Sequence, residues 1–297
     1  MSQGKEARQI RNTILIGCLI NVTLTIVKLL TGYFGGSEAL VADGFHALGD
    51  TGSDIIMLGF VGLSFKKASD RFTYGYGKFE TFASLLISCL LLFIAGHVMA
   101  ESVESIERYN EGAVLQHPDI WTVVVVIISM AVKEFLFRFY RRTGKQTRSM
   151  ALVSSAWHHR IDALTSIATL IGVAGAHFLG SGWRILDPAA SVLIALFIII
   201  QAIRIFLPSF FELMERSIPS HDIQEVSAIV SRVKGVRKIE CIKSRKSGPF
   251  LIFDVKVAIP ADMTIKEGGD IAIKIEDSIR EQSGSNVLVS VMTVPFE

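Results

Sequence analysis

Roughly the first two thirds of the chain alternate between long apolar runs and short charged ones, and then the pattern changes character. Six runs are long and apolar enough to cross a hydrocarbon core of about 30 Å, which takes about 20 helical residues. They fall at 12–34, 38–65, 79–107, 118–140, 150–180 and 186–208. Several contain Gly or polar residues, and the third and fifth are long enough to protrude from a bilayer.

Beyond "FELMERSIPS" the chain reads as a small soluble domain. "DIQEVSAIVSRVKG" carries helical apolar spacing, with Gly235 as its stop. "VRKIECIKSRKSG" and "PFLIFDVKVAIP" alternate as two strands joined through a Ser-Gly-Pro turn. "TIKEGGDIAIKIEDSIREQSG" returns to helical period, and "NVLVSVMTVP" makes a last strand. The expected fold is therefore a membrane all-α bundle of six transmembrane helices, followed by a small α+β domain of order αββαβ, ferredoxin-like or metallochaperone-like. The expected divisions are a lead at 1–11, the membrane domain at 12–208, a linker at 209–217 and the C-terminal domain at 218–297. So small a domain has a thin core, which dimerisation would reinforce.

The placement of Lys and Arg orients the bundle. Lys5, Arg8, Arg11, Lys66, Lys67, Arg71, Lys78, Arg138, Arg141, Arg142, Lys145 and Arg148 fall on one side, and Arg108 and Arg184 on the other. A split of twelve to two predicts a multi-pass cell-membrane protein with both termini in the cytoplasm. The N-terminal lead is basic, but no small-residue cleavage site follows it, so it is not read as a signal peptide.

Composition agrees with that class. Half of the 297 residues are hydrophobic and only 20% are charged, with a mean hydropathy of +0.46. The net charge of +2 is too small to suggest a nucleic-acid partner. Cys18, Cys89 and Cys241 are widely spaced with no CxxC, which argues for packing cysteines over a disulfide framework. No Walker loop, HExxH or GxSxG occurs, so ATP hydrolysis and intramembrane proteolysis have no support, and no prosthetic group is expected.

Ionisable residues inside the spans carry the chemistry, because their cost in a membrane points to function. His46 and Asp50 in the second span are four residues apart and share a helix face. Asp54 extends that stripe, and Asp43 precedes it. His158 and Asp162 repeat the relation in the fifth span, whereas His159 points about 100° away. One such pair alone could be a helix-packing hydrogen bond. Two pairs on facing helices offer two imidazoles and two carboxylates, a complete tetrahedral set for Zn²⁺. The carboxylates balance a divalent charge, and protons compete with the metal for the same ligands. Imidazoles favour a borderline-soft ion over Mg²⁺ or Ca²⁺, without separating Zn²⁺ from Fe²⁺, Mn²⁺, Cd²⁺ or Co²⁺. Lys28, Lys133 and Glu134 are read as helix-end or interhelical ion-pair members or snorkelling side chains. His97 and His177 are read as packing or interfacial residues.

These features together, with "YGYGKFE" at the start of the third span, resemble the cation diffusion facilitator family over nearly the whole chain. The resemblance implies a homodimeric exporter of divalent metal that exchanges it for protons by alternating access. It carries the four-ligand transport site to His46, Asp50, His158 and Asp162, a His–Asp pattern associated with zinc; manganese-type members show an Asp-rich or Asn-containing one. It also assigns Lys78 to an inter-domain charge pair with Glu215 of "LMERSIP". There are departures. Phe72 and Tyr76 stand where some members place histidines, and "RRTGKQTRS" replaces a histidine-rich loop. The C-terminal domain offers His221, Glu240, Cys241 and Asp254, too little for a binuclear zinc interface.

The leading expectation is a proton-coupled Zn²⁺ exporter with metal, protons, lipid and a second copy of itself as partners. Export of Fe²⁺ or Mn²⁺ is the nearest alternative. A channel would not hold ions in a closed tetrahedral shell, a metal sensor would need ligands in the tail, and an enzyme would need a nucleophile or cofactor motif.

Overall fold

The computed structural model describes residues 2–64, 69–147, 149–283 and 286–296; of 2–8, 10, 53, 54, 56–64, 150 and 151 it describes the backbone alone. Lys66, Lys67 and Arg148 of the orientation argument lie outside the described residues. Six long helices come first: α1 (Ser2–Phe34), α2 (Glu38–Ser64), α3 (Gly77–Asn110), α4 (Ile120–Gln146), α5 (Met150–Phe178) and α6 (Leu186–Leu213). A single 3-10 turn at Ser181–Trp183 precedes α6. Among the described residues, α1, α3, α4, α5 and the stretch containing α6 are long and apolar enough to cross a membrane. The sixth helix, α2, is the one that carries Asp43 and Asp50. The helices outrun the apolar runs at several ends. α1 begins at Ser2, so the basic lead is helical; α4 continues to Gln146; and α6 passes through Pro208 to Leu213.

The chain divides into two compact units, Met1–Ile55 with Leu86–Ile205 and Ile56–Leu85 with Phe206–Glu297. In the first, the interior is built from small and branched residues: Ala39, Leu40 and Ala42 of α2, Leu91, Ala95 and Val98 of α3, and Ile194, Ala195 and Ile198 of α6. Small residues allow close helix approach where hydrophobicity gives no preference between helix and lipid. Gly44 illustrates it, since a Cβ there would stand 2.8 Å from Leu29 of α1. Large apolar side chains such as Leu19, Phe93, Phe135 and Leu164 point outward, as a lipid-facing surface requires.

Polar anchors fix the helix starts. Ser37 accepts a hydrogen bond from the Leu40 backbone N–H, and its hydroxyl donates to Asp187 Oδ1 at 2.7 Å. Asp187 Oδ2 also accepts from the Glu38 backbone N–H at 2.7 Å, joining the starts of α2 and α6. Ser149 caps α5 by accepting from the Leu152 N–H. Only residues 147–149 separate α4 from α5, so the two run as an antiparallel hairpin. Lys133 and Asp162, each about a dozen residues from that turn at 1.5 Å per residue, are thereby brought level.

The second unit holds α7 (Ser220–Ser231), β1 (Lys238–Ser247), β2 (Phe250–Pro260), α8 (Ile265–Ser283) and β3 (Val287–Phe296), the expected αββαβ order. The sheet order is β1-β2-β3; β1 pairs antiparallel with β2, and β3 parallel with it across the α8 crossover. Phe253, Val255, Val257 and Ile259 alternate on the buried face of β2, against Ile271, Ile275 and Ile279 at four-residue spacing on α8. Thr264 and Glu267 close a capping box at the start of α8. Gly248 turns the hairpin at φ +56°, a conformation that L side chains rarely adopt.

Candidate metal centre

Three helices of the first unit converge on one polar point. From α2 come His46 and Asp50, from α5 His158 and Asp162, and from α4 Lys133. His46, Asp50 and Asp162 are each buried, and one ligand atom from each lies within 4.8 Å of the others. His46 Nε2 is 3.9 Å from Asp50 Oδ2. His158 meets both carboxylates, with Nε2 3.6 Å from Asp50 Oδ1 and Nδ1 3.8 Å from Asp162 Oδ1, although about half of its side chain is exposed. The four residues of the two HxxxD pairs are thus neighbours, with His158 at the open edge.

The donor set suits a metal for a second reason. Both ring nitrogens of His46 and Oδ2 of Asp50 are buried without a hydrogen-bond partner among the described residues. Orphaned buried polar atoms are costly and rare, and a bound cation satisfies Asp50 Oδ2 and the one His46 nitrogen that carries a lone pair. The ring of His46 is held edge-on against Phe197 of α6, with centroids 5.4 Å apart, so its orientation is set by packing. Gln201, also on α6, donates to Asp50 Oδ1 at 3.4 Å.

Lys133 belongs to the interhelical ion-pair class, and its position is the surprise. Its ammonium donates to Asp162 Oδ2 at 2.9 Å and lies 4.0 Å from Asp50 Oδ2, with 4% of the side chain exposed. Hydropathy along α4 does not reveal this, because a lysine near an apolar segment's end reads the same whether it snorkels or turns inward.

The accessory candidates fall elsewhere. Asp43 Oδ2 accepts from Lys28 of α1 at 2.7 Å, both side chains being buried, and Ser166 of α5 donates to the same carboxylate at 3.3 Å. The side chain of Asp54 lies outside the described residues. His159 is buried with its ring edge-on to Tyr140 and with Nδ1 4.0 Å from Asp162 Oδ2.

In the second unit, Lys78 at the start of α3 donates to Glu215 Oε1 at 2.9 Å. Arg245 of β1 stands 3.6 Å from Glu215 Oε2. The Lys78 hydrogen bond and charge, with Arg245 behind them, hold the Glu215 carboxyl below the usual glutamate range. Glu212, which sequence reasoning passed over, accepts from the Thr81 hydroxyl and from the Gly248 N–H. Phe72 and Tyr76, the two positions set apart as departures in the sequence, pack with Phe79 as an aromatic cluster. His221 lies with Asp222 and Glu225 on α7 as a largely exposed group.

Comparison with known proteins matches residues 14–214 to the cation efflux transmembrane domain and residues 218–291 to the cation efflux protein cytoplasmic domain. The chain belongs to the cation diffusion facilitator family. This facilitator is 31% identical over 298 residues to the manganese efflux system protein MneP of Bacillus subtilis, covering 99% of both chains. It is 29% identical to metal tolerance protein C1 of Arabidopsis thaliana, over 95% of this chain and 60% of that one. It is also 29% identical to the magnetosome protein MamB of Magnetospira sp., over 89% and 87% respectively. The facilitator is accordingly a multi-pass membrane protein of a cation efflux family.

Proposed function

We propose that this facilitator exports Zn²⁺ from the cytoplasm in exchange for protons, as a homodimer with both termini inside, using His46, Asp50, His158 and Asp162 as the transport site. The observation that carries the reading is the convergence of buried His46, Asp50 and Asp162, with unpartnered atoms on His46 and Asp50 among the described residues, and His158 beside both carboxylates. Two neutral imidazoles with two carboxylates balance a divalent ion and match the ligand types of tetrahedral zinc. Protons and metal compete for the same lone pairs, so a proton taken up on one side of the membrane favours metal release there. The half-exposed His158 gives the ion a place to enter or leave.

A second reading is Mn²⁺ export, favoured by the full-length likeness to a manganese efflux protein. Oxygen ligands suit Mn²⁺, and in-cell selectivity also depends on geometry and availability. Proteoliposome uptake with an internal pH dye, run separately with Zn²⁺, Mn²⁺ and Fe²⁺, separates the readings. Zn²⁺ uptake with matching proton efflux, lost in His158→Ala, is expected. Uptake of Mn²⁺ alone would replace the metal and keep the exchanger; uptake without proton movement would remove the coupling.

A further inference from the structure

Within the proposed site the two carboxylates each show two edges. Their Oδ1 atoms face His158, at 3.6 Å for Asp50 and 3.8 Å for Asp162, and their Oδ2 atoms face Lys133, at 4.0 and 2.9 Å. A protonated lysine has three donors and no lone pair, so it cannot ligate a metal and instead stands as a fixed positive charge beside it. Lys133 is buried, so water does little to screen that charge. We infer that Lys133 sets the affinity of the metal site: it holds Asp162 by its Oδ2, stands as a fixed positive charge 4.0 Å from Asp50 Oδ2, and weakens metal binding enough for release.

This inference rests on the four-ligand reading above. A site of two carboxylates and two imidazoles in low dielectric binds a divalent ion tightly, and an exporter that cannot let go has no turnover. A tethered cation meets both needs. It occupies the carboxylates when the metal has left, so they do not stand uncompensated among apolar helices, and it opposes the metal when bound. Geometry favours this role over a simple interhelical tie, because Lys133, hydrogen-bonded to Asp162 at 2.9 Å, also stands 4.0 Å from Asp50, so its charge reaches the carboxylates of both HxxxD pairs. Lys28, by contrast, closes on Asp43 at 2.7 Å.

The test is Zn²⁺ binding by calorimetry on the purified full chain, with Zn²⁺ uptake measured in parallel. Lys133→Gln removes the charge while keeping a donor for Asp162, and Lys133→Met removes both. Each is expected to bind Zn²⁺ at least tenfold more tightly than the parent, with lower KM and lower maximal uptake, and Lys133→Arg to restore the parental constants. A purely structural tie would instead lower thermal stability and leave the dissociation constant in place. If Lys133→Met does not fold, Lys133→Gln carries the comparison. A Lys133→Gln dissociation constant within twofold of the parent, while His46→Ala has lost binding, overturns the role of Lys133 and leaves the site standing. Unchanged binding in His46→Ala overturns the site itself.

Discussion

Glu215 accepts a 2.9 Å hydrogen bond from Lys78 while its own backbone stands at φ +56°, the left-handed position that closes α6. The Arg216 N–H returns to the Phe211 carbonyl and the Glu215 N–H to that of Glu212, a Schellman end whose left-handed residue is ordinarily glycine. Holding a side chain there costs about 1 kcal/mol, and an exposed ion pair returns less than about 1 kcal/mol. Stability therefore does not explain why a glutamate stands at this position; its contacts with Lys78 and Arg245 do. Glu215→Gly is expected to leave the melting temperature about unchanged while lowering metal uptake severalfold. Parental uptake in that variant would reduce the pair to a surface contact.

The same pair has a pH signature. Lys78 depresses the Glu215 carboxyl below its ordinary 4.5, so the stabilisation is fully present above about pH 4.5 and fades as pH falls through the lowered folded value. Thermal unfolding of the parent and of Glu215→Gln should differ at pH 7 and converge once the pH has fallen below the lowered value of this carboxyl. A difference that persists in acid would place the cause outside this carboxylate.

Local pattern made much of this molecule legible. The alternation of Phe253, Val255 and Val257 on β2, and the four-residue spacing of Ile271, Ile275 and Ile279 on α8, each lie within one element, so period alone reveals them. The two HxxxD pairs are legible for the same reason. What periodicity does not carry is which faces meet. Lys133 and Asp162 belong to different helices, and only the short α4–α5 turn brings them level. Phe197 and Gln201 look like ordinary positions of α6 until α2 packs beside them. The helical extension of α1 back to Ser2 escaped hydropathy because a polar helix has no apolar stripe to announce it.

The buried pair Lys28–Asp43 separates two roles for Asp43. Removing one member of a buried pair leaves an uncompensated charge and costs about 3–5 kcal/mol. Asp43→Asn alone should therefore unfold at markedly lower temperature, and Lys28→Met with Asp43→Asn should recover most of the loss. Asn keeps an acceptor for the Ser166 hydroxyl. Calorimetry on the double variant then decides the role: a Zn²⁺ dissociation constant within about threefold of the parent makes Asp43 a structural partner of Lys28. A loss of tenfold or more would make it an accessory ligand.

Selectivity should reside in the imidazoles. His46 brings a nitrogen ligand to the buried end of the site, held by Phe197, and neither of its ring nitrogens has a hydrogen-bond partner among the described residues. A carboxylate there makes the donor set harder and adds a negative charge, which favours ions that accept oxygen shells. His46→Asp is thus expected to lose Zn²⁺ uptake by tenfold or more relative to Mn²⁺ in paired proteoliposome assays, with the protein eluting and melting as the parent does. The charge change alone would strengthen binding of both ions, so the ratio of the two rates is the quantity that reports ligand chemistry. An unchanged ratio would mean that His46 does not ligate the ion, and would move the nitrogen donor to His158 alone.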